Sequence, residues 1–314
     1  MNNTYPSVIF LIISSDNLEQ YKEMKRLSQM YFSLFSNIKF FYIQFKNNIE
    51  DDIYLEHELF FKGEESFVPG IYLKSVKALQ YINQHFEYDF VIRTNLSSFW
   101  HMNNLFELLS TVPTTGYIGG YGHQGFISGT GIIMSRDIGN IIANSNDLTD
   151  HMDDVVISNI IQAHGYSMSN VTNYKWSYLI QGNHEPVDQQ EFISNGPFNP
   201  NITFSPNVLY FRIRNEPDRN IDLQYFKLLL DKIYNIKVIE ENNIQVIKET
   251  IVQVIEETIV QVIEETNEPN EPNVPNVQVI EETNEPNVQV IEETTVYETN
   301  SINRRKKLLR YVRR

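Results

Sequence analysis

The chain has 314 residues, 41 % hydrophobic and 12 % aromatic, enough apolar material for one large core or two ordinary ones. Its formal net charge of −15 excludes a core that tracks a nucleic-acid backbone, a task that needs clustered Lys and Arg. It contains no cysteine, which removes disulfides, thiolate nucleophiles and Cys-ligated zinc and fits a reducing compartment.

The first 235 or so residues alternate strand-like and helix-like segments. Val8–Ser14 is an apolar, β-branched run that predicts a buried strand. Its apolar part is far shorter than the roughly 20 residues a bilayer span requires, and no basic start or small-residue cleavage site accompanies it. Asp16 and Asn17 follow as capping residues, and Leu18–Phe35 carries helical spacing through Tyr21, Met24, Leu27, Met30 and Leu34. Ile38–Phe45 predicts a second strand and Ile53–Phe61 a strand or strand-and-turn. Pro69 and Gly70 open a helix that runs to His85, Tyr88–Thr94 is a third buried strand, and Met102–Leu109 a short helix. Tyr117–Gly120 and Thr130–Ser135 are strand-like around a Gly-rich turn. Helices are expected over Arg136–Asn144 and Asp153–His164, a strand over Val208–Ile213 and a helix over Leu223–Tyr234. Such alternation predicts an α/β sandwich with a mostly parallel sheet.

From about Lys237 the material changes. Gln-Val-Ile-Lys-Glu-Thr at 245–250 recurs as Gln-Val-Ile-Glu-Glu-Thr at 253–258, 261–266, 278–283 and 289–294, the later copies separated by Asn-Glu-Pro-Asn units. The spacing suits neither a heptad nor an 11-residue supercoil, and the prolines exclude helix interiors and central strands. This predicts either a disordered acidic tether or a short β-arch or interaction array over 237–303. The end, 304–314, is a basic amphipathic stub suited to anionic lipid, RNA or the acidic tail, or simply solvated. The abundance of Asn, Ile, Tyr and Phe is the usage of an AT-rich genome, such as that of a large DNA virus or a protist.

Three blocks within 1–236 are candidates for chemistry. Tyr88–Trp100 is a buried strand that ends in the polar turn Arg93-Thr94-Asn95-Leu96-Ser97-Ser98. Strand carboxyl ends face the ligand crevice of open α/β sheets, so these residues are either site residues or a capped loop. Tyr117–Ser135 is glycine-rich, with Gly129-Thr130-Gly131 running into a strand and not into a helix, which excludes a dinucleotide fingerprint. His123 within it is a pocket donor or an ordinary loop histidine. The third block, Asp150-His151-Met152-Asp153-Asp154-Val155, sets paired carboxylates at a helix start. There they serve as dipole-compensating caps or as a general base. Trp100 and Trp176 are core anchors or sugar-stacking platforms.

In order and spacing, these blocks resemble the beta-1,3-galactosyltransferase and Fringe-like glycosyltransferases. In that family a Phe-Val-hydrophobic-Lys/Arg-Thr-Asp-Asp-Asp strand precedes a Ser-Gly-x-Gly-hydrophobic-hydrophobic-hydrophobic-Ser strand and a Glu/Asp-Asp-Val helix start. Phe90–Thr94, Ser128–Ser135 and Asp153-Asp154-Val155 match these patterns, and the resemblance covers roughly Glu65 to His164. It implies a GT-A-like (Rossmann-like) three-layer sandwich over 1–236 that transfers a sugar, with inversion, from a nucleotide-sugar donor to a glycan or protein hydroxyl. Asp154 or its neighbour Asp153 would be the base. Ser14, Ser15, Asp16, Arg93, Thr94, Asn95, Ser97, His123, Gly129, Thr130 and Gly131 would surround the donor. Gly129–Gly131 would let the sugar or acceptor approach closely.

The family's acidic motif, which would hold manganese or magnesium, is replaced by Asn95-Leu96-Ser97. Asn and Ser oxygens bind a hard cation less strongly than carboxylates. The resemblance therefore implies either a metal-free site, in which Arg93 or another cation counters phosphate charge, or a weak metal at Asn95 and His123. The alternatives to transfer are a non-catalytic carbohydrate or nucleotide-sugar binding module on the same fold, and an interaction protein that works through its repeats. Composition and the lack of a spanning segment place the expected protein in the cytoplasm, or in host cytoplasm or a virion for a viral chain.

Overall fold

The computed structural model describes residues 5–123, 125–145, 151–171, 173–181, 190–194, 197–215 and 218–238, leaving out the side chains of 123, 176–181 and 190–194. The repeats and the basic stub, from residue 239 on, lie outside the described residues. The elements described here all fall within one compact unit, Met1–Tyr234, and a second unit begins at Asn235.

In chain order the elements are β1 (Val8–Ile13), α1 (Glu19–Phe32), β2 (Ile38–Lys46), β3 (Ile53–Tyr54), β4 (Glu58–Lys62), α2 (Gly70–His85), β5 (Phe90–Asn95), β6 (Ser98–Trp100) and α3 (Met102–Leu109). They continue with β7 (Ile118–His123), β8 (Phe126–Ser135), α4 (Arg136–Ala143), α5 (Asp153–Ala163), β9 (Ser169–Asn170), β10 (Lys175–Gln181), β11 (Gln190–Ser194), β12 (Val208–Asn215) and α6 (Arg219–Tyr234). An eight-stranded sheet has the order β3-β4-β2-β1-β5-β8-β7-β9. Its centre, β4-β2-β1-β5, is parallel throughout, while β3 and the β7–β8 hairpin pair antiparallel at its flanks. A smaller sheet has the order β11-β10-β12-β6.

The central strands are apolar on both faces because both faces are covered. Alternation along β1 sends Ile9 and Leu11 into a cluster with Val76, Leu79 and Ile82 of α2, Ile138 and Ile142 of α4, and Ile157 and Ile161 of α5. Phe10 points the other way, its ring centroid 4.8 Å from Phe32 of α1 and 5.6 Å from Trp100. On that second face Tyr31 stacks on Tyr234 at 5.3 Å, and Phe99 meets Phe226 edge-on at 5.4 Å, which binds α1, β6 and α6 together. Helices therefore pack on both faces of a mostly parallel sheet, an arrangement compatible with a Rossmann-like fold. Among the described residues, no helix is long and apolar enough to cross a membrane.

The structure corrects or sharpens the sequence expectation in several places, beginning with α1, whose N-cap is Leu18 with no side-chain cap from Asp16 or Asn17. Ser98-Phe99-Trp100, expected to continue a polar turn, is strand β6, paired antiparallel with β12 through Trp100–Tyr210, Phe99–Phe211 and Ser98–Arg212. Of the two alternatives at Ile53–Phe61, the strand-and-turn is found, as β3 and β4 paired antiparallel. Strands β9, β10 and β11 occupy a stretch in which no element is expected. Short strands that gain their stability from a distant partner leave little periodic signal.

Candidate functional site

A cavity of about 630 Å³ opens at the carboxyl ends of β1 and β5, the crevice position of open α/β sheets. The parallel register of β1 and β5 sets Ile13 beside Asn95. Backbone bonds from Leu96 to the Ile13 carbonyl, 3.0 Å, and from Ser14 to the Ile43 carbonyl, 3.2 Å, hold the two strand exits together. Ser14 and Ser15 line one side, Asn95 to Ser97 the floor, and Ser128 to Thr130 of β8 the far wall, with Met152 to Asp154 at the start of α5 beside it. Three sequence blocks thus meet at one opening.

Beneath that opening lies a buried charge network. Arg93 Nη2 stands 2.6 Å from Asp153 Oδ2, and the two residues are only 2 % and 7 % exposed. Arg93 Nη1 donates to the Gly129 carbonyl and, at 3.3 Å, to Asn95 Oδ1. Burial pushes the Asp153 carboxyl above the ordinary carboxylate range; the charge of Asp154 adds to that rise and Arg93 opposes it. Lys74 of α2 lies alongside, its Nζ 2.7 and 2.9 Å from the Glu65 carboxylate and 3.4 Å from the Ser14 carbonyl. Burial lowers the Lys74 ammonium pKa, with Glu65 opposing and the charge of Arg93 assisting. Asp154 Oδ2 accepts from the Gly129 N–H at 3.0 Å and Oδ1 from the Val155 N–H at 3.0 Å. The N-cap residue of α5, Met152, makes no side-chain cap bond, while Asp154 takes up the first-turn Val155 N–H; Asp153 also reaches the sheet through Arg93 and Asp154 through Gly129.

Of the expected site residues, Ser14, Ser15, Arg93, Asn95, Ser97, Gly129, Thr130, Asp153 and Asp154 line this one cavity. Asp16 is placed elsewhere: its carboxylate bonds Lys25 at 2.6 Å and Lys46 and Gln44 at 3.0 Å. Burial would raise its pKa, but the bonds from Lys25 and Lys46 outweigh this and hold it at about 2. Thr94 sits under the floor, donating at 2.7 Å to the Thr130 carbonyl and accepting from Trp100 Nε1 at 3.1 Å. Gly131 also lies off the cavity lining: a Cβ there would stand 2.8 Å from the Trp100 ring, so the missing side chain makes room for Trp100 and not for a sugar. At Gly129 the space is taken by Arg93, whose Nη1 would be 2.6 Å from a Cβ. Trp100 is fully buried and anchors the core. His123 ends β7 with its side chain outside the described residues, as is the side chain of Trp176.

The expected role of Arg93 as a phosphate partner changes in this setting, because its charge is matched by Asp153. The sequence reading did not single out Glu65, Lys74, Tyr21, Arg212, Arg214 or Arg219, all of which line the cavity. The signal for two of them was present: Tyr210-Phe211-Arg212-Ile213-Arg214 alternates at period two, which places both arginines on one face at a strand's carboxyl end. The pairing of β12 with β6, which directly follows β5, brings that strand to the site.

The residues where the resemblance would place a metal do not fit a hard divalent cation. Asn95 Oδ1 already accepts from Arg93, Ser97 Oγ accepts from Arg212 Nη1, and Leu96 offers no side-chain ligand. Among the described residues no group of three or more His, Asp or Glu side chains is gathered to hold an ion. No family model matches this sequence, and no curated protein matches it.

Proposed function

We propose that the domain at Met1–Tyr234 is a glycosyltransferase of the GT-A type, resembling the beta-1,3-galactosyltransferase and Fringe-like enzymes, and that it transfers a sugar from a nucleotide-sugar donor to an acceptor hydroxyl. One observation carries this reading. Ser14-Ser15, Asn95–Ser97, Gly129-Thr130 and Asp153-Asp154, far apart in the chain, line a single cavity at the strand carboxyl ends. Its volume suits a ligand of nucleotide-sugar size.

In the proposed reaction the acceptor oxygen attacks the anomeric carbon. The bond from that carbon to the diphosphate oxygen breaks, the nucleoside diphosphate leaves, and the acceptor proton passes to a carboxylate. Asp154 is the group for that step. It lines the cavity, and the Gly129 N–H fixes its orientation. Asp153 is committed to Arg93 and acts as a positioning residue that ties the start of α5 to β5.

The full chain, supplied with a panel of nucleotide sugars, is expected to release a nucleoside diphosphate by hydrolysis or transfer. Asp154→Asn should slow that release by about 10²–10⁴-fold, the usual contribution of a general base, with thermal unfolding unchanged. Turnover that survives the substitution, or no turnover with any donor, would sink this reading.

A second reading, a non-catalytic nucleotide-sugar binding module, is favoured by one observation, the commitment of Asn95 and Ser97 to arginines. Donor binding without turnover would select it.

A further inference from the structure

Phe67 is 67 % exposed, more than any other large apolar side chain among the described residues, and it lines the cavity. The loop that carries it is pinned on both sides. The Glu65 carboxylate accepts from the Phe45 N–H at 2.7 Å and from Lys74 Nζ at 2.7 and 2.9 Å. Ser66 Oγ accepts from the Gly70 N–H at 3.1 Å, and the Phe67 carbonyl from the Ile71 N–H at 3.4 Å, at the start of α2. A fixed backbone thus presents an aromatic ring to solvent, where it forgoes the burial by which such a ring stabilises a fold.

A second apolar side chain stands at the same opening. Met152, 44 % exposed, precedes α5 and also lines the cavity. Helices α2 and α5 pack into one cluster with Ile9 and Leu11, on one face of the large sheet. Both helices begin at the cavity, so Phe67 and Met152 stand just ahead of two helix starts on the same face. Ile71, in the first turn of α2, continues that apolar lining. The side supplied by β12 and α6 is of another kind and carries arginines. Asp154, the proton acceptor of the proposed transfer, lies two residues beyond Met152 and therefore belongs to the apolar side.

We infer that Phe67 and Met152 form the acceptor subsite of this cavity, and that the subsite takes an alcohol whose hydroxyl is carried on an apolar framework, aromatic or alkyl. The inference rests on reading the cavity as a transferase site. The framework lies against the Phe67 ring and the Met152 thioether, groups that pack well on aromatic and aliphatic surfaces alike. Its hydroxyl is then directed to Asp154. The hydroxyl oxygen bonds to the anomeric carbon, the bond from that carbon to the diphosphate oxygen breaks, and the proton passes to Asp154. A polyhydroxylated acceptor fits this side poorly. Hydroxyls pressed against Phe67 and Met152 lose water without gaining a partner, and the nearby Ser66 Oγ is already engaged by the Gly70 N–H.

The test is calorimetric titration of the full chain with 2-naphthol, 1-octanol and free galactose, which separates aromatic, alkyl and polyhydroxyl frameworks. The subsite predicts binding of 2-naphthol or 1-octanol and weaker binding of galactose. Phe67→Ser with Met152→Gln should loosen the apolar alcohol by about tenfold or more, because the area it covers is lost. Both side chains are exposed, so the pair should fold, which thermal unfolding checks, and Phe67→Trp, which keeps an aromatic face, should retain binding. Failure of both apolar alcohols to bind, galactose binding at least as tightly as they do, or binding indifferent to the double substitution overturns the subsite. Donor turnover separates this inference from the reading beneath it. Alcohol binding that depends on Phe67 and Met152, with no donor consumed, leaves the apolar subsite standing and removes the transferase. Transfer to a polyhydroxylated acceptor that is undiminished by the double substitution does the reverse.

Discussion

At the residue scale the site is organised by what each charge is already attached to. Arg93 and Asp153 are both nearly inaccessible and 2.6 Å apart, so removing one partner strands the other in a poor solvent for charge. Arg93→Ala should destabilise the fold by about 3–5 kcal/mol, whereas Arg93→Met with Asp153→Leu should recover most of that loss. Urea unfolding compares the two, and a double variant no more stable than the single one would count against a buried pair. Asp16 makes a second test, through pH. Its folded pKa of about 2 is depressed below the unfolded reference of about 3.9, so the ionised form favours the fold. Its contribution is complete above pH about 4 and fades as pH falls toward 2. Asp16→Asn should therefore lower stability at neutral pH, and its unfolding curve should converge on that of the natural chain in acid. A deficit that stays constant down to pH 2 would show that the carboxylate's charge is not what matters.

At the element scale the β7–β8 hairpin and α5 determine the shape of the wall. Gly120 has φ +156° with the Gly131 carbonyl 2.5 Å from where its Cβ would be, at a point where the hairpin register shifts. A side chain there meets both a restricted backbone region and a clash. Gly131→Ala should cost about 1–3 kcal/mol through overpacking, because Trp100 and Tyr210 stand 2.8 and 3.1 Å from the new methyl. Near-ultraviolet circular dichroism should report a displaced Trp100 alongside the drop in unfolding midpoint, and an unchanged midpoint would argue against close packing there. The helical spacing, the apolar runs and the Ser-Gly-x-Gly pattern made α1–α5, β1, β2, β5 and β8 readable from local sequence. The strand β6 was not, because three residues of mixed polarity acquire strand geometry only by pairing with β12, more than a hundred residues away.

On the scale of the whole molecule, the compact unit Met1–Tyr234 contains every residue placed in the cavity. A chain ending at Val238 is expected to keep donor turnover within about twofold of the full chain, as the proposed function needs only the cavity residues placed in the first unit. Loss of turnover in that shortened chain, with folding intact, would move attention to the repeats. The α/β class, the order of the main elements and the gathering of polar residues at the strand carboxyl ends follow from local patterns, since buried runs, helical periods and strand-end polarity are properties of neighbouring residues. Which charges are spent and which face the cavity is a different matter. Arg93 reads as a phosphate partner along the chain, yet in the folded protein it is matched by Asp153, 60 residues on, while Arg212 and Arg214 reach the wall through β6. Charge pairing depends on distance in space, and distance in space is set by strand pairing and helix packing across the sheet, which no window of sequence contains.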